Sequence, residues 1–380
     1  MALSALPRLR VLHVLRAPVG GLFRHVCDLA KAQAAMGHQV GVVCDADGDA
    51  LTDKRLDALR PHLALGLFRV GMSRAIAPSD IFAFHAIRAH ALGLGVEVLH
   101  WHGAKGGAYS RLVGASLKRM RRRVASCYTP HGGSLHYHPA SLQGRIYMEA
   151  ERYLAGKGDG LIFESAFSAG RYAAQVGSPG CAMQVIPNGL AEDDFVPVAA
   201  EADAADFLFV GELRHLKGVD VMIDALSEIA RERPVRAVIV GSGPDAQAFK
   251  DRASAAGLAQ AITFPGAMPA RDAFAKGRVL VVPSRAESFP YIVLEAGAAG
   301  LPMLATDVGG IPEIVAGTHT TLLPAEDVQA LAAAMRRVLD APSQAAAEAA
   351  ELRAAVAARF TIASMNLAIL HLYYGALGQA

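Results

Sequence analysis

Two carboxylates, Glu287 and Glu295, carry the most chemical information in this sequence, because seven residues separate them across a strand-to-helix turn. The first follows an apolar strand predicted over 279–284. The second lies in a helix predicted to start near Phe289, almost two turns in. A helix N-terminus attracts anions, and carboxylates accept hydrogen bonds from hydroxyl groups. The segment could therefore bind a phosphorylated sugar, although a surface acid followed by an ordinary helix glutamate has the same spacing.

Basic residues follow another apolar strand, predicted over 206–210. Arg214 and Lys217 lie in the turn after it, where they would offset the charge of a diphosphate. A solvated basic turn is the alternative. The next strand runs into Gly241-Ser-Gly243-Pro, which resembles the start of a dinucleotide-binding fingerprint. Position 246 is Ala rather than Gly, so this pattern is weak evidence for NAD.

Histidines and a lysine follow a strand of the N-terminal half. His100 and His102 alternate on that strand and point to one side, and Lys105 comes shortly after them. We interpret His102 and Lys105 as candidates for the acceptor side of a ligand crevice, where the group that receives a transferred sugar would bind. A structural role is equally compatible with the pattern. Asp45 and Asp47 form a D-x-D pattern, which sugar transferases of another fold use for metal. Here we interpret it as a turn, and we predict no metal ligand among the histidines.

Strand, glycine-rich turn and helix repeat along both halves of the chain, which predicts parallel sheets covered on both faces. We therefore predict an α/β protein of two doubly wound, Rossmann-like domains, with ligands at the carboxyl ends of the strands. The predicted domains are 1–198 and 199–361, and a last helix over 362–377 should pack back on the first domain. The predicted strands are 10–15, 39–44, 96–101, 126–129, 160–163 and 184–186, then 206–210, 236–240, 261–264, 278–282, 302–305 and 320–323.

Composition sets limits on the class of protein. A chain of 380 residues favours two domains. Its four cysteines form no CxxC pair, which argues against a metal cluster or disulfide framework and favours the cytoplasm. No apolar run is long enough for a signal peptide or a membrane span. Residues 1–190 hold 22 Lys and Arg against 12 Asp and Glu, whereas 191–380 hold 15 against 23, so the two domains should face different surroundings.

Taken in order, these segments resemble the retaining glycosyltransferases of the GT4 type (glycosyltransferase group 1), which have the GT-B fold. The resemblance covers nearly the whole chain and implies two Rossmann-like domains facing a central cleft. Glu287 to Glu295 is similar to the E-x7-E motif of that family. The other matching segments are Gly20-Gly21 with Arg24 and His25, Thr129-Pro-His-Gly132, Ile186-Pro-Asn-Gly189, Gly211 to Gly218, and Val308-Gly-Gly-Ile-Pro-Glu313.

The resemblance also implies roles for individual residues. On the donor side, Glu287 would bind the sugar hydroxyls, Glu295 the ribose hydroxyls, and Lys217 the diphosphate leaving group. His131 would lie beside the reacting carbon of the donor sugar. The remaining donor-side and acceptor-side residues are the backbone of Gly20, Gly21, Gly243, Phe289, Pro290 and Tyr291, and the side chain of His25 on the acceptor side. No permanent cofactor and no metal are expected.

One position departs from the family pattern. The residue after the first glycine of the diphosphate loop is usually arginine, and here it is Glu212, whose charge would repel a diphosphate. Arg214 lies two residues further on and could return to the same side of the chain. We therefore expect Arg214 to take over the missing role.

The densest basic run extends from Lys118 to Arg123. With Arg111, Leu112, Val113 and Leu117 it could form an amphipathic basic helix that binds an anionic membrane, the surface where many relatives find lipid-linked acceptors. A solvated helix face is the alternative. Nucleic-acid binding is not expected, because no aromatic residues interleave with the run.

The expected function is transfer of a sugar from a UDP- or GDP-sugar to a glycan or lipid-linked acceptor, in surface polysaccharide or glycolipid biosynthesis. The enzyme would be cytoplasmic, with peripheral membrane association at the inner face. A nucleotide-sugar epimerase of the same fold, and a degenerate relative that binds nucleotide without catalysis, are the alternatives. An NAD-dependent oxidoreductase is disfavoured by the missing glycine at position 246.

Overall fold

The structure, a computed structural model, describes residues 7–47, 50–73, 77–132 and 141–379. The chain forms two compact units. Unit 1 comprises residues up to Gly189 together with those from Ile362 onward, and unit 2 comprises Leu190–Thr361. The predicted α/β class with two parallel-sheet domains is confirmed.

Unit 1 is built on a seven-stranded sheet in the order β3-β2-β1-β4-β5-β6-β7, and its strand pairings are parallel. Its elements are β1 (Arg10–Leu15), α1 (Gly20–Ala35), β2 (Gln39–Cys44), α2 (Ala50–Leu59), β3 (Gly66–Arg69), α3 (Ser79–Gly93), β4 (Val98–His102), α4 (Ala104–Arg119), β5 (Ala125–Thr129), α5 (Leu142–Ala155), β6 (Gly160–Phe163), α6 (Ala166–Gln175), β7 (Ala182–Val185) and the last helix, α14 (Ile362–Ala376). The apolar face of α14 packs with β1 and β4–β6, through Met365, Ile369 and Tyr373.

Unit 2 carries a six-stranded parallel sheet in the order β10-β9-β8-β11-β12-β13. Its elements are β8 (Ala205–Val210), α7 (Val219–Ala230), β9 (Ala237–Val240), α8 (Ala246–Ala255), β10 (Ile262–Gly266), α9 (Ala270–Phe274), β11 (Gly277–Val282), α10 (Tyr291–Ala299), β12 (Met303–Thr306), α11 (Ile311–Val315), β13 (Leu322–Leu323), α12 (Val328–Asp340) and α13 (Pro342–Arg359). Two buried clusters, one on each face of the sheet, form its core.

The strand prediction missed β3. This strand has four residues, of which Gly66 is exposed and the rest are half-buried, so it lacks the apolar run of a central strand. The division between the units also falls earlier than residue 198. Residues 190–198 pack on unit 2, where the Leu190 N–H donates to Phe360 O at 3.0 Å and the Val198 N–H to Ala299 O at 3.1 Å. This segment lacks periodicity because it contains a short 3-10 helix, Glu192–Phe195, and irregular backbone contacts.

Candidate active site

Each sheet has one point where the strand order reverses, and parallel α/β sheets bind ligands there, at the carboxyl ends of the strands. In unit 2 this point lies between β8 and β11, which are paired. The chain leaves β8 through residues 211–218 and leaves β11 through residues 283–290. The sheet topology therefore brings the two predicted donor-binding segments to the same edge.

Lys217 and Glu287 meet at this edge. Lys217 ends a 3-10 helix, His215–Lys217, and its Nζ lies 2.6 Å from Glu287 Oε1. The Ser284 hydroxyl donates to the same carboxylate oxygen at 2.7 Å. Lys217 is 26% exposed and Glu287 only 9%, so the pair is partly shielded from solvent screening. Two residues predicted from separate motifs to act on one donor are thus in contact.

A second ion pair holds the loop that carries Lys217. Arg285 donates to His215 O at 2.5 Å and forms a two-point contact with Asp220 at 2.8 Å. Burial alone would raise the pKa of Asp220, but the hydrogen bonds and charge of Arg285 outweigh it and lower that pKa. Asp245 accepts from the His215 N–H at 2.7 Å. The sequence analysis missed all three residues, since their partners are backbone groups and charges far away in sequence.

The glycines around this edge allow backbone segments to approach closely. A Cβ on Gly218 would lie 1.9 Å from Pro283 O, and one on Gly309 would lie 1.8 Å from Glu287 O. Both glycines also have left-handed φ, 68° and 61°. A Cβ on Gly243 would lie 2.4 Å from Leu213 O. Gly243 therefore has a packing role in supporting residues 211–218, and its contact with a donor stays a prediction.

Arg214 and Glu212 both point to solvent. Arg214 is 46% exposed and Glu212 53%, and their closest charged atoms are 3.5 Å apart. At this exposure and distance the pair contributes little to stability. The carboxylate offsets part of the charge of Arg214, and the expected replacement of the family arginine by Arg214 stays a prediction.

The start of α10 corrects two details of the sequence analysis. The helix begins at Tyr291 rather than near Phe289, so Glu295 lies just over one turn in instead of almost two. Glu295 is half-buried. The rings of Phe289 and Tyr291 are buried in the core of unit 2, and a contact of their backbone with a donor stays a prediction. Pro290, also predicted to contribute, has no N–H to donate.

In unit 1 the strand order reverses between β1 and β4. Gly20 and Gly21 follow β1 as the first two residues of α1, and not as a separate turn. Both are exposed, and a Cβ on Gly20 would meet no atom within 4 Å. The φ of Gly20 is 63°, which favours glycine. This open helix start has the character expected of a phosphate contact, and that role stays a prediction.

The predicted site histidines of unit 1 lie together. The ring centroid of His131 is 4.9 Å from that of His25 and 5.3 Å from that of His102. His131 follows β5 and has a left-handed φ of 51°, an unusual conformation for a residue other than glycine. His25 and His102 are buried, at 0% and 1% exposure, so their predicted contact with an acceptor stays a prediction. Lys105 lies in the first turn of α4, and its side chain is outside the described part of the structure.

Two further histidines, His13 and His100, extend this cluster. They lie opposite each other on β1 and β4, and their ring centroids are 5.4 Å apart. His100 bonds the Tyr373 hydroxyl at 2.6 Å and the Thr129 hydroxyl at 2.8 Å. His13 received no role from the sequence, because the register between β1 and β4 is a long-range property. Its buried position on a strand was the only available signal.

Burial controls the charge of these rings. It lowers the pKa of His13 to about 4 and that of His25 to about 3. The pKa values of His100 and His102 are also well below 6.5, chiefly because of burial. Glu164, whose carboxylate is in close hydrogen-bond contact with His131 Nδ1, is 3% exposed. Burial alone would raise its pKa, but the contact with His131 lowers it.

These shifts predict that unit 1 loses stability in acid. Below pH 6.5 the unfolded state binds protons on its histidines, whereas folded His13 stays neutral to about pH 4 and His25 to about pH 3. The free energy of unfolding should therefore fall as pH drops from 6.5 towards 4, by about 1.4 kcal/mol per pH unit for each such ring. Urea unfolding followed by the fluorescence of Trp101, the single tryptophan, measures this in unit 1.

Unit 2 is the internal control for that prediction. It has two histidines, His215 and His319, and both are exposed. Circular dichroism should therefore show two unfolding transitions. The transition of unit 1 coincides with the Trp101 signal and moves to lower urea in acid, whereas the transition of unit 2 moves less. An equal urea midpoint for Trp101 at pH 7 and pH 5 would contradict the assignment of neutral buried histidines.

The histidine spacing is also compatible with a metal ion. One ring nitrogen from each of His13, His100 and His102 lies within 4.8 Å of the others, as do nitrogens of His25, His102 and His131. The prediction that none of them binds metal therefore stays a prediction. In the D-x-D segment, Asp45 is buried and its carboxylate accepts from the Met72 N–H at 2.9 Å, which is a structural role.

The basic run begins in the last turn of α4 and continues beyond the end of this helix at Arg119, which differs from the predicted amphipathic membrane helix. Val113 and Leu117 are buried in the core of unit 1, and Arg111 forms a buried ion pair with Glu151 at 2.6 Å. Lys118 pairs with Asp159. Val113 and Leu117 therefore face the sheet, whereas Leu112 and Met120 are exposed, at 42% and 48%. The exposed cations that remain are Arg119, Arg121, Arg122 and Arg123.

In the part of the chain that the structure describes, no helix combines the length and the apolar character needed to cross a membrane.

Comparison with known families agrees with this architecture. Residues 19–194 match the model described as glycosyltransferase family 4, and residues 204–341 match the one described as glycosyl transferases group 1. One model thus falls in each unit, apart from five residues at the start of unit 2. The chain belongs to the GT4-type glycosyltransferases of group 1, has the GT-B fold and is a transferase enzyme.

Individual relatives cover most or half of the chain. Glycogen synthase of Mycobacterium tuberculosis (strain H37Rv) is 29% identical over 94% of this chain and 92% of its own length. A GDP-mannose-dependent alpha-(1-6)-phosphatidylinositol monomannoside mannosyltransferase of Mycolicibacterium smegmatis is 31% identical over 52% of this chain and 57% of its own. The structure of Anabaena Alr3699/HepE in complex with UDP-glucose is similar in fold, with a TM-score of 0.80, 18% identity, and 97% and 100% coverage of the two chains.

Proposed function

We propose that this protein is a retaining glycosyltransferase that uses a UDP- or GDP-sugar and extends a glycan or lipid-linked acceptor, in surface polysaccharide or glycolipid biosynthesis. The observation that carries the proposal is the contact between Lys217 and Glu287 at the strand reversal of unit 2, directly before the N-terminus of α10. The names of the relatives support both donors, since one is GDP-mannose-dependent and another was solved with UDP-glucose.

Binding of the donor would separate Lys217 from Glu287, because each of them would bind a different part of the substrate. Lys217 would exchange Glu287 for a diphosphate oxygen, and Glu287 would accept from sugar hydroxyls. The bond between the anomeric carbon and the diphosphate then breaks, and the acceptor oxygen bonds to the same face of that carbon. A leaving-group oxygen takes the acceptor proton. Lys217 and the positive end of α10 would stabilise the charge that develops on the diphosphate.

Nucleotide-sugar turnover distinguishes sugar transfer from the two alternatives, which are a nucleotide-sugar epimerase and a degenerate relative that binds nucleotide without catalysis. Each donor is incubated with and without an acceptor mixture, and NMR follows the free nucleoside diphosphate and the anomeric configuration of the product. The proposal predicts diphosphate release that depends on acceptor, with retention at the anomeric carbon. An epimerase converts donor without acceptor, and a degenerate relative binds nucleotide but releases no diphosphate.

Glu295→Ala should remove nucleotide binding selectively. We expect the ribose hydroxyls to bind this half-buried carboxylate, so the variant loses the thermal shift that the correct nucleotide sugar gives the native protein. That shift corresponds to about 2.7 kcal/mol at 100 times the Kd. Asp251→Ala, which removes an exposed carboxylate from α8, is the control and should keep the full shift. Equal shifts in both variants would remove Glu295 from the donor site.

We also propose that the enzyme works in the cytoplasm and is held at the inner face of the membrane by charge. The support is the exposed group Arg119, Arg121 and Arg122, where each cation near an anionic surface contributes about 1 kcal/mol. Replacing the three by Gln should lower sedimentation with anionic liposomes by at least about tenfold, and added salt should do the same to the native protein. Binding that ignores lipid charge and salt would contradict an electrostatic contact.

A further inference from the structure

Five side chains of unit 1 form one continuous hydrogen-bonded chain, which we call the histidine relay. Gln33 Oε1 lies 2.9 Å from His13 Nε2, and His13 Nδ1 lies 3.1 Å from His102 Nε2. His102 Nδ1 lies 3.0 Å from His131 Nε2, and His131 Nδ1 makes the close hydrogen-bond contact with Glu164. Every ring of the relay uses both of its nitrogens. The relay therefore links the side chain of His131 to a buried amide on α1.

The relay has a direction, because a neutral imidazole donates from one nitrogen and accepts at the other. Ionised Glu164 only accepts, so His131 carries a proton on Nδ1. A neutral His131 must then accept at Nε2 from His102 Nδ1–H, and His102 must accept at Nε2 from His13 Nδ1–H. His13 in turn accepts at Nε2 from the side-chain N–H of Gln33. This direction requires the Gln33 amide to be rotated by 180°, so that its nitrogen rather than its oxygen faces His13.

The opposite direction requires one more proton. If His13 donates from Nε2 to Gln33 Oε1, then His102 donates to His13 and His131 donates to His102. His131 still donates to Glu164, so it carries two protons and a positive charge. The two directions thus differ by one proton on His131. The low pKa values of buried His13 and His102 keep the inner links neutral near pH 7.5.

We propose that Gln33, His13 and His102 are positioning residues that hold His131 as a neutral ring with its proton on Nδ1. This rests on the proposed function, because the sugar develops positive charge as the diphosphate leaves and an imidazolium would repel it. The other titratable rings and acids against His131 in the described structure are His25 and Glu164. Both nitrogens of His131 are hydrogen-bonded within the relay. A bound substrate would therefore contact the face of this ring and respond to its charge.

The test reads the tautomers directly and needs no nucleotide sugar, so it is independent of whether transfer activity is found. Protein with ¹⁵N-labelled histidine is measured at pH 7.5, and single His→Asn variants assign the ring signals. The relay predicts that His13, His102 and His131 are each protonated on Nδ1 and bare on Nε2. A proton on Nε2 of His131, in either a neutral or a charged ring, would overturn the proposal.

Gln33→Glu tests whether the far end of the relay controls its charge. With a carboxylate at each end, both end rings donate outward, so one of the three rings must hold two protons. We expect a doubly protonated ring in this isosteric variant, and none in Thr129→Val, which removes a partner of His100 outside the relay. Ring signals in Gln33→Glu that match the native protein would overturn the coupling. A folded spectrum with a charged ring would support it, whatever the activity.

Discussion

Lys217→Ala should reduce kcat by about 10²- to 10³-fold with the natural donor, the effect of removing one preorganised contact to charge that develops in the transition state. Lys217 is the cation placed against Glu287 at the strand reversal of unit 2, and it is only 26% exposed, so solvent does not replace it well. Steady-state kinetics with saturating acceptor measures the loss. Lys217→Arg keeps the charge and should recover part of the rate.

Two further variants test whether the loss of kcat is specific to Lys217. Lys250→Ala removes a lysine from α8, away from the strand reversal, and should leave kcat unchanged. Arg214→Ala should weaken donor affinity by about tenfold, or ~1.4 kcal/mol, if Arg214 replaces the family arginine whose position Glu212 occupies. Normal donor affinity in Arg214→Ala, beside a loss in Lys217→Ala, would show that Arg214 has no such role. Native kcat in Lys217→Ala would contradict the account of the leaving group.

Gly309→Ala should destabilise unit 2 and displace Glu287. The new Cβ would lie 1.8 Å from Glu287 O, and the left-handed φ of 61° adds strain. The strain costs about 1–2 kcal/mol and the overpacking about 1–3 kcal/mol. For a domain stabilised by roughly 5–15 kcal/mol the combined loss is large. Urea unfolding monitored by circular dichroism should show a lower midpoint, and donor binding should weaken in the same variant.

Gly317→Ala separates the two causes. Gly317 is also in unit 2 and has a left-handed φ of 80°, but a Cβ there would meet no atom within 4 Å. This variant carries only the conformational cost, about 1–2 kcal/mol, and should keep native donor binding. Equal destabilisation of the two variants would mean that the close approach of Gly309 to Glu287 costs nothing.

The sequence indicated the proximity of Lys217 and Glu287 better than it indicated the contacts around them. Lys217 and Glu287 follow recognisable strands, and the rule that ligands bind where strand order reverses places them at one edge. Arg285 and Asp245 escaped prediction because they act on the backbone of His215, and no spacing rule reports such contacts. The start of α10 was misplaced because Phe289 and Pro290 continue the loop as buried residues rather than as a first helical turn.

Contacts between residues far apart in sequence were harder still to predict in unit 1. His102 was indicated by its place at the end of a strand, and His131 by the resemblance to the family. The relay through His13 depends on the register between β1 and β4, which pairs residues far apart in sequence. Two apolar residues of the predicted membrane helix were misassigned for a related reason. Val113 and Leu117 fit an amphipathic pattern that describes burial against the sheet as well as insertion into a membrane.

The central claim is that the strand reversal of unit 2 binds the diphosphate of a nucleotide sugar. The most direct test is a crystal structure of the protein grown with UDP or with GDP. The account predicts a diphosphate oxygen within about 3 Å of Lys217 Nζ and ribose hydroxyls on Glu295. Lys217 should have left Glu287 Oε1, from which it is now 2.6 Å away. Nucleotide bound elsewhere, or no nucleotide bound at saturating concentration, would contradict it.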